Sequence, residues 1–213
     1  MEEKGNMKVK LLYSGGFASN CYLVTSDDST EAVLIDPSVS YDFVFRQCLQ
    51  MPPINKILLT HAHFDHVLYL DEWREKTGAR VYATQPESDA LTDAEKNANL
   101  VFLGINKTYN SSDETIGDGD VISFGNNKLK VLLSSGHTLG SCCYYDKNIA
   151  FTGDTIFADG GIGRTDLYGG SAIELRKSLS RIFSLFDGET VIYPGHGRKS
   201  TIKEEIYNHN TVI

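Results

Sequence analysis

Four potential metal ligands fall within six residues of this sequence: His61, His63, Asp65 and His66, in Thr60-His61-Ala62-His63-Phe64-Asp65-His66. His61 and His63 are two apart, so in an extended segment they share a face and can chelate one ion. Asp65 and His66 come where the chain must turn, and their side chains can aim at a second ion beside the first. Imidazole and carboxylate suit zinc, iron or manganese. Close His/Asp clusters seldom pack without an ion. Three more candidates each follow an apolar run and sit in a glycine-rich turn. They are His137 in Ser135-Gly136-His137-Thr138, Asp154 in Phe151-Thr152-Gly153-Asp154, and His196 in Pro194-Gly195-His196-Gly197. The Asp154 carboxylate could bridge two cations about 3.5–4 Å apart, as in two-metal hydrolases. The sixth histidine, His209, has no such setting and reads as an ordinary residue.

Ligands of this kind need rigid strand ends to hold them. Val9–Tyr13, Cys21–Thr25 and Ala32–Ile35 read as an antiparallel meander, with Gly15-Gly16 and Asp27-Asp28 in the turns. A helix is expected at about 40–50, a strand at Ile54–Leu59, and a helix over Val67–Lys76 ended by Gly78. Three capping boxes mark helix starts: Thr92-x-x-Glu95, Ser171-x-x-Glu174 and Thr201-x-x-Glu204. After Ser171, the spacing of Leu175, Leu179, Ile182, Phe183 and Phe186 predicts an amphipathic helix. Val121–Phe124, Leu129–Leu133, Ser141–Tyr145 and Ile149–Phe151 read as further strands. Two sheets packed face to face with helices outside would satisfy this order, as would other α/β layouts. Eleven of the 19 glycines lie after residue 135, beside His137, Asp154, Arg164 and His196. They suggest tight loops whose backbone approaches something closely.

At 213 residues the chain fits a single domain spanning 1–213, with 41% apolar and 23% charged residues. The net charge of −8 counts against a nucleic-acid partner, which calls for a basic face, and against an anionic membrane surface. No apolar run approaches bilayer-spanning length, and the charged N-terminus lacks the apolar stretch of a signal peptide. Cys21, Cys48, Cys142 and Cys143 form no C-x-x-C pair. Four reduced, mostly buried cysteines in a cytoplasmic protein are expected.

Taken together, THAHFDH, SSGHTLGS, FTGDTIF and YPGHG resemble the metallo-β-lactamase-fold superfamily, in its order, across residues 34–197. The resemblance implies an α+β fold, a four-layer αββα sandwich with the site at one edge of the two sheets. It assigns His61, His63 and His137 to one metal, Asp65, His66 and His196 to a second, and Asp154 to a bridge. Asp36 in Leu34-Ile35-Asp36-Pro37 matches a supporting aspartate behind the ligands. Gly161-Ile162-Gly163-Arg164-Thr165-Asp166-Leu167 and the tail after His196 look like short glyoxalase II-type (hydroxyacylglutathione hydrolase-like) members. The implied cofactors are two divalent ions: zinc, with iron or manganese as alternatives. The implied reaction is cleavage of a small-molecule thioester, such as a hydroxyacylglutathione, by a hydroxide lying between the cations. Asp65 would orient that hydroxide as a catalytic residue, and Arg164 would lie near the substrate or pair with Asp166.

Two departures bear on this. Val67-Leu68-Tyr69 stand where the family has glycines before its helix. Only 17 residues follow His196, so the C-terminal helical domain that helps hold glutathione is not expected. The acidic balance also sits awkwardly with an anionic thioester, unless Arg164, Arg198, Lys199 and the metals overcome it at the mouth. A rival reading is a persulfide dioxygenase holding one iron through His61, His137 and Asp154, a triad suited to oxygen chemistry. A non-catalytic metal scaffold is a third. Ala90–Leu103 is expected to be a lid or part of the core.

Overall fold

The computed structural model describes residues 7–47 and 51–210. β1 (Lys8–Gly15), β2 (Ala18–Thr25) and β3 (Ala32–Ile35) pair antiparallel, forming the expected meander. After α1 (Tyr41–Gln47), β4 (Ile54–Leu58) pairs parallel with β3. Then come α2 (Leu70–Thr77), β5 (Arg80–Ala83), α3 (Gln85–Leu91), α4 (Asn99–Leu103) and β6 (Glu114–Thr115). These strands form one sheet in the order β1-β2-β3-β4-β5-β6. A second sheet is built from β7 (Val121–Phe124), β8 (Asn127–Leu133), β9 (Cys142–Tyr145), β10 (Ile149–Gly153), β11 (Val191–Pro194) and β12 (Ser200–Thr201). Its order is β12-β11-β10-β9-β8-β7. α5 (Ala172–Leu185) precedes β11, and α6 (Ile202–Asn210) follows β12.

Side-chain alternation makes the layers. Along β2, Cys21 and Leu23 join a cluster with Leu70 and Trp73 of α2, while Tyr22 and Val24 face the second sheet. The inter-sheet cluster adds Ile35, Leu58, Phe124, Leu129, Val131 and Phe151. A third cluster joins Leu132, Ala150 and Ile192 to Leu175, Leu179 and Ile182 of α5. Helix, sheet, sheet, helix is therefore the order, and the fold is the αββα sandwich. Adjacent Cys142 and Cys143 point to opposite faces, one into the inter-sheet core and one toward α5. Cys21, Cys142 and Cys143 are free and buried; Cys48 lies outside the described residues. Among the described residues no helix is long and apolar enough to cross a membrane.

Some boundaries differ from expectation. Ser171 does cap α5, accepting from the Glu174 N–H, and Thr201 accepts from the Glu204 N–H at 3.3 Å. Thr92, by contrast, is the C-cap of α3, and Asp93 accepts from the Glu95 and Lys96 N–H groups in the turn that follows. Asp93, one residue on, takes the Glu95 N–H that a Thr92 cap would have used. The helix expected from Val67 starts at Leu70, because His66 N–H bonds His63 O and Val67 N–H bonds Phe64 O in tight turns. It ends at Gly78 as expected, with φ 68°. Of the helix expected at about 40–50, α1 covers Tyr41–Gln47, and 48–50 lie outside the described residues. Ala90–Leu103 divides: Ala90 and Leu91 are core, whereas Leu100–Leu103 are half exposed on α4.

Candidate metal centre

β3 and β4 run parallel in one sheet, and β10 and β11 run parallel in the other. β8 is antiparallel to β9, and β9 to β10, so β8 shares the direction of β10. The C-terminal ends of these five strands reach one edge of the sandwich, and there they deliver Asp36, His61–His66, His137, Asp154 and His196. This is the physical origin of the repeated pattern of strand, turn and ligand.

The side chains converge in two overlapping groups. His61 Nε2 lies 3.2 Å and His63 Nδ1 2.9 Å from His137 Nε2. His196 Nε2 lies 3.1 Å from Asp65 Oδ2. Asp154 stands between the groups. Its Oδ1 is 3.2 Å from His66 Nε2, and its Oδ2 is 3.5 Å from His137 Nε2 and 3.6 Å from His196 Nε2. Ligand atoms of His61, His63 and His137, of Asp65, His66 and His196, and of His61, His66 and Asp154 each fall within 4.8 Å of one another. Every residue picked from the sequence as a ligand is therefore in this cluster. His209 is not; its ring packs on Phe183.

The hydrogen bonds behind the cluster determine which nitrogens carry protons. His137 Nδ1 is 2.8 Å from the Arg164 carbonyl, an acceptor, so Nδ1 is protonated and Nε2 bears a lone pair. The single Thr60 hydroxyl proton goes to Asp36 Oδ2 at 2.6 Å, so Thr60 Oγ1 accepts from His61 Nδ1 at 3.2 Å. His61 Nε2 is then also a lone pair. Two lone pairs 3.2 Å apart cannot hydrogen-bond each other. A His63 Nδ1 proton could serve only one of them, and it would leave His63 Nε2 as a buried acceptor with no partner. His66 Nδ1 bonds Asp36 Oδ2 at 2.8 Å, leaving Nε2 toward Asp154. Although 3.2 Å apart, His66 Nε2 and Asp154 Oδ1 are not aligned, and both lack hydrogen-bond partners. The donor set and its orphaned atoms fit divalent cations. The whole is suited to a binuclear divalent-metal site.

Electrostatics agree. Burial lowers the pKa of His61 and His63, helped by the neighbouring imidazoles, and His63 falls to about 3. Burial likewise keeps His137 low, against the pull of Asp154. For His66, burial is outweighed by Asp154 and Asp36, which raise it well above its ordinary value. Burial pulls Asp65 and Asp154 upward. The His196 hydrogen bond and the charge of His66 nevertheless hold Asp65 below the usual carboxylate range, and His66 above all holds Asp154 there. Apart from His66, whose Nε2 proton a cation would displace, the site is thus rich in lone pairs and anionic oxygen.

Glu87 was not legible as a site residue. Its buried carboxylate accepts from Ala62 N–H at 2.7 Å, Thr138 Oγ1 at 2.7 Å and Gly140 N–H at 2.9 Å. It clamps the His61–His63 loop to the His137 loop. Asn20 holds the His196 turn, donating to the Pro194 and Gly197 carbonyls at 2.9 Å each. Close approach explains two glycines. A Cβ at Gly195 would collide with Asp154 Oδ1 and His66 Cε1, and one at Gly163 with the Asp154 carbonyl.

A cleft of about 340 Å³ opens over the cluster. Phe17, Phe64, Phe102 and Leu167 form its organic walls, beside His63, Asp65 and Arg164. Arg164 lines the cleft and makes two 2.7 Å hydrogen bonds to Asp166, the pairing expected of it. Its guanidinium also lies 5.3 Å from the centre of the Phe102 ring. Arg198 is instead paired with Asp159 at 2.6 Å, and neither it nor Lys199 lines the cleft.

Fold and site together place a candidate divalent-metal centre on an αββα sandwich. Residues 14–196 match the metallo-beta-lactamase superfamily, and the chain belongs to it. It is 36% identical over 204 residues to "Probable metallo-hydrolase YqgX" of Bacillus subtilis (strain 168), covering 93% of this chain and 94% of that one. Among solved structures it is similar to the BLEG-1 B3 metallo-beta-lactamase, with a TM-score of 0.86 at 30% identity, covering 96% of this chain and 99% of that one. TTHA1623 in a di-iron-bound form gives a TM-score of 0.79 at 30% identity, covering 95% of this chain and all of that one.

Proposed function

We propose that this chain is a single-domain, cytoplasmic, glyoxalase II-like thioesterase that acts on a small-molecule thioester. The observation that carries the reading is the pair of facing lone pairs on His61 and His137, beside two carboxylates held anionic. We assign His61, His63 and His137 to one cation, Asp65, His66 and His196 to the other, and Asp154 to both. Zinc suits these donors; iron and manganese also accept them. When bound, such ions acidify water and polarise a carbonyl.

The remaining work falls to the chain. Asp65 lines the cleft as a carboxylate and accepts a hydrogen bond from water there, orienting it toward the substrate carbonyl. Asp36, through Thr60 and His66, keeps the imidazole lone pairs facing inward. Phe64 and Phe102 shield the reacting bond from bulk water. A thiol leaving group has a pKa of about 8.5 and departs as thiolate without a strong acid. That agrees with a cleft whose carboxylates, Asp65 and Asp154, are both held ionised.

The persulfide dioxygenase reading draws on His61, His137 and Asp154, which also converge, at 3.2 and 3.5 Å. Anaerobic assay of a thioester panel separates the two. Thiol release without oxygen is the expected result; oxygen uptake with glutathione persulfide and no thioester cleavage would overturn it.

A further inference from the structure

Phe17 forms the tip between β1 and β2 and is 85% exposed. It belongs to two depressions at once. One is the metal cleft; the other is a groove of about 360 Å³ walled by Val39, Phe43, Leu68 and Tyr69. Leu68 and Tyr69 lie in the turns that follow His66. Their backbone is fixed, with Tyr69 N–H on the Pro37 carbonyl at 3.0 Å and the Leu68 carbonyl accepting from Lys107 Nζ at 3.1 Å. Among the described residues, no Asp, Glu, Lys, Arg or His lines the groove. Of its two serines, Ser38 spends its hydroxyl on the Ser19 carbonyl, and Ser40 Oγ accepts from the Phe43 N–H. Among the described residues, Arg164 is the one Lys or Arg lining the metal cleft, and Asp166 neutralises it.

We infer that this groove is a substrate subsite. It takes the aliphatic acyl arm of an uncharged thioester, which passes over Phe17 from the metal cleft. That the arm belongs to a thioester rests on the hydrolase reading; the groove's preference for an aliphatic chain does not. The two carboxylates of a glutathione conjugate would find no Lys or Arg among the described residues that line the groove, whereas an aliphatic chain would cover Phe17, Phe43 and Leu68.

Calorimetry on the metal-loaded protein tests this with two thioethers that cannot be hydrolysed, S-octyl- and S-methyl-N-acetylcysteamine. A fully buried methylene is worth roughly fourfold in affinity, so a half-covered chain gains about twofold per methylene, or on the order of a hundredfold for octyl over methyl. Phe43→Glu and Leu68→Asn, made separately, should each cut the octyl affinity about tenfold. Tyr207→Glu, which places the same charge on α6, should leave it unchanged. An octyl-to-methyl ratio below about five, or an equal loss in Tyr207→Glu, overturns the subsite. Acetyl and octanoyl thioesters of the same thiol are assayed in parallel. Octyl preference without any hydrolysis leaves the groove standing and removes the thioesterase. Hydrolysis with no chain-length preference in binding does the reverse.

Discussion

Asp36→Asn is nearly isosteric, yet it should disable the site through proton placement alone. Asp36 Oδ1 accepts from Thr60 N–H at 2.8 Å, and Oδ2 accepts from both Thr60 Oγ1 at 2.6 Å and His66 Nδ1 at 2.8 Å. In the variant, the amide oxygen must stay on the Thr60 N–H, so the amide NH2 takes the Oδ2 position. Its protons then face His66 Nδ1 and Thr60 Oγ1. His66 must offer a lone pair at Nδ1 and keep its one remaining proton at Nε2, the atom that faces Asp154. Thr60, now receiving a proton, turns its own toward His61 Nδ1, and His61 Nε2 becomes protonated as well. For one changed atom, His61 loses its inward lone pair, and His66 is left with its only proton on the nitrogen that a cation needs. Loss of such outer partners costs about 10–100-fold in metal affinity, roughly 1.4–2.7 kcal/mol. Zinc titration in competition with a chromophoric chelator measures the affinity, and nitrogen-15 NMR of the imidazoles reads the tautomers. Wild-type affinity with unchanged tautomers in Asp36→Asn would refute the proton relay.

Glu87→Ala leaves the buried Ala62 and Gly140 N–H groups without an acceptor at about 1–3 kcal/mol each, so the metal-free protein should melt on the order of 10 °C lower. An unchanged melting temperature would deny the clamp. Gly195→Ala drives a Cβ into Asp154 and His66. It should cost about 1–3 kcal/mol in overpacking and reduce bound metal below the wild-type amount, read by elemental analysis. Burial pushes Cys21 and Cys142 far above the usual thiol range and Cys143 up to about 11. A raised pKa means that thiolate is scarce, so at pH 8 these three should resist a disulfide reagent in the folded protein and react once it is unfolded. Rapid labelling of Cys143 in the native state would contradict that burial.

The sequence displayed the ligands because each lies just past an apolar strand, where few conformations are open and the residue types are unmistakable. Two-residue spacing put His61 and His63 on one face, and the structure places their nitrogens about a single partner, His137. Glu87 was hidden for the opposite reason. It is a lone glutamate on a short helix, and two of its three partners are backbone N–H groups 25 and 53 residues away. No side-chain pattern records such bonds. β5 went unread because its four residues, Arg80–Ala83, carry an exposed arginine and only two fully buried side chains. The start of α2 was misplaced because the metal loop keeps turning until Tyr69, anchored on Pro37. Those same turns put Leu68 and Tyr69 beside Phe17, where they wall the second groove.

The most direct test of the account is zinc titration into metal-free protein by calorimetry, with the stoichiometry confirmed by elemental analysis after desalting. Two ions per chain are expected, falling to about one in His196→Ala, where the Asp65 and His66 group loses its third donor. A stoichiometry of one in the wild type, unaffected by His196→Ala, would contradict it.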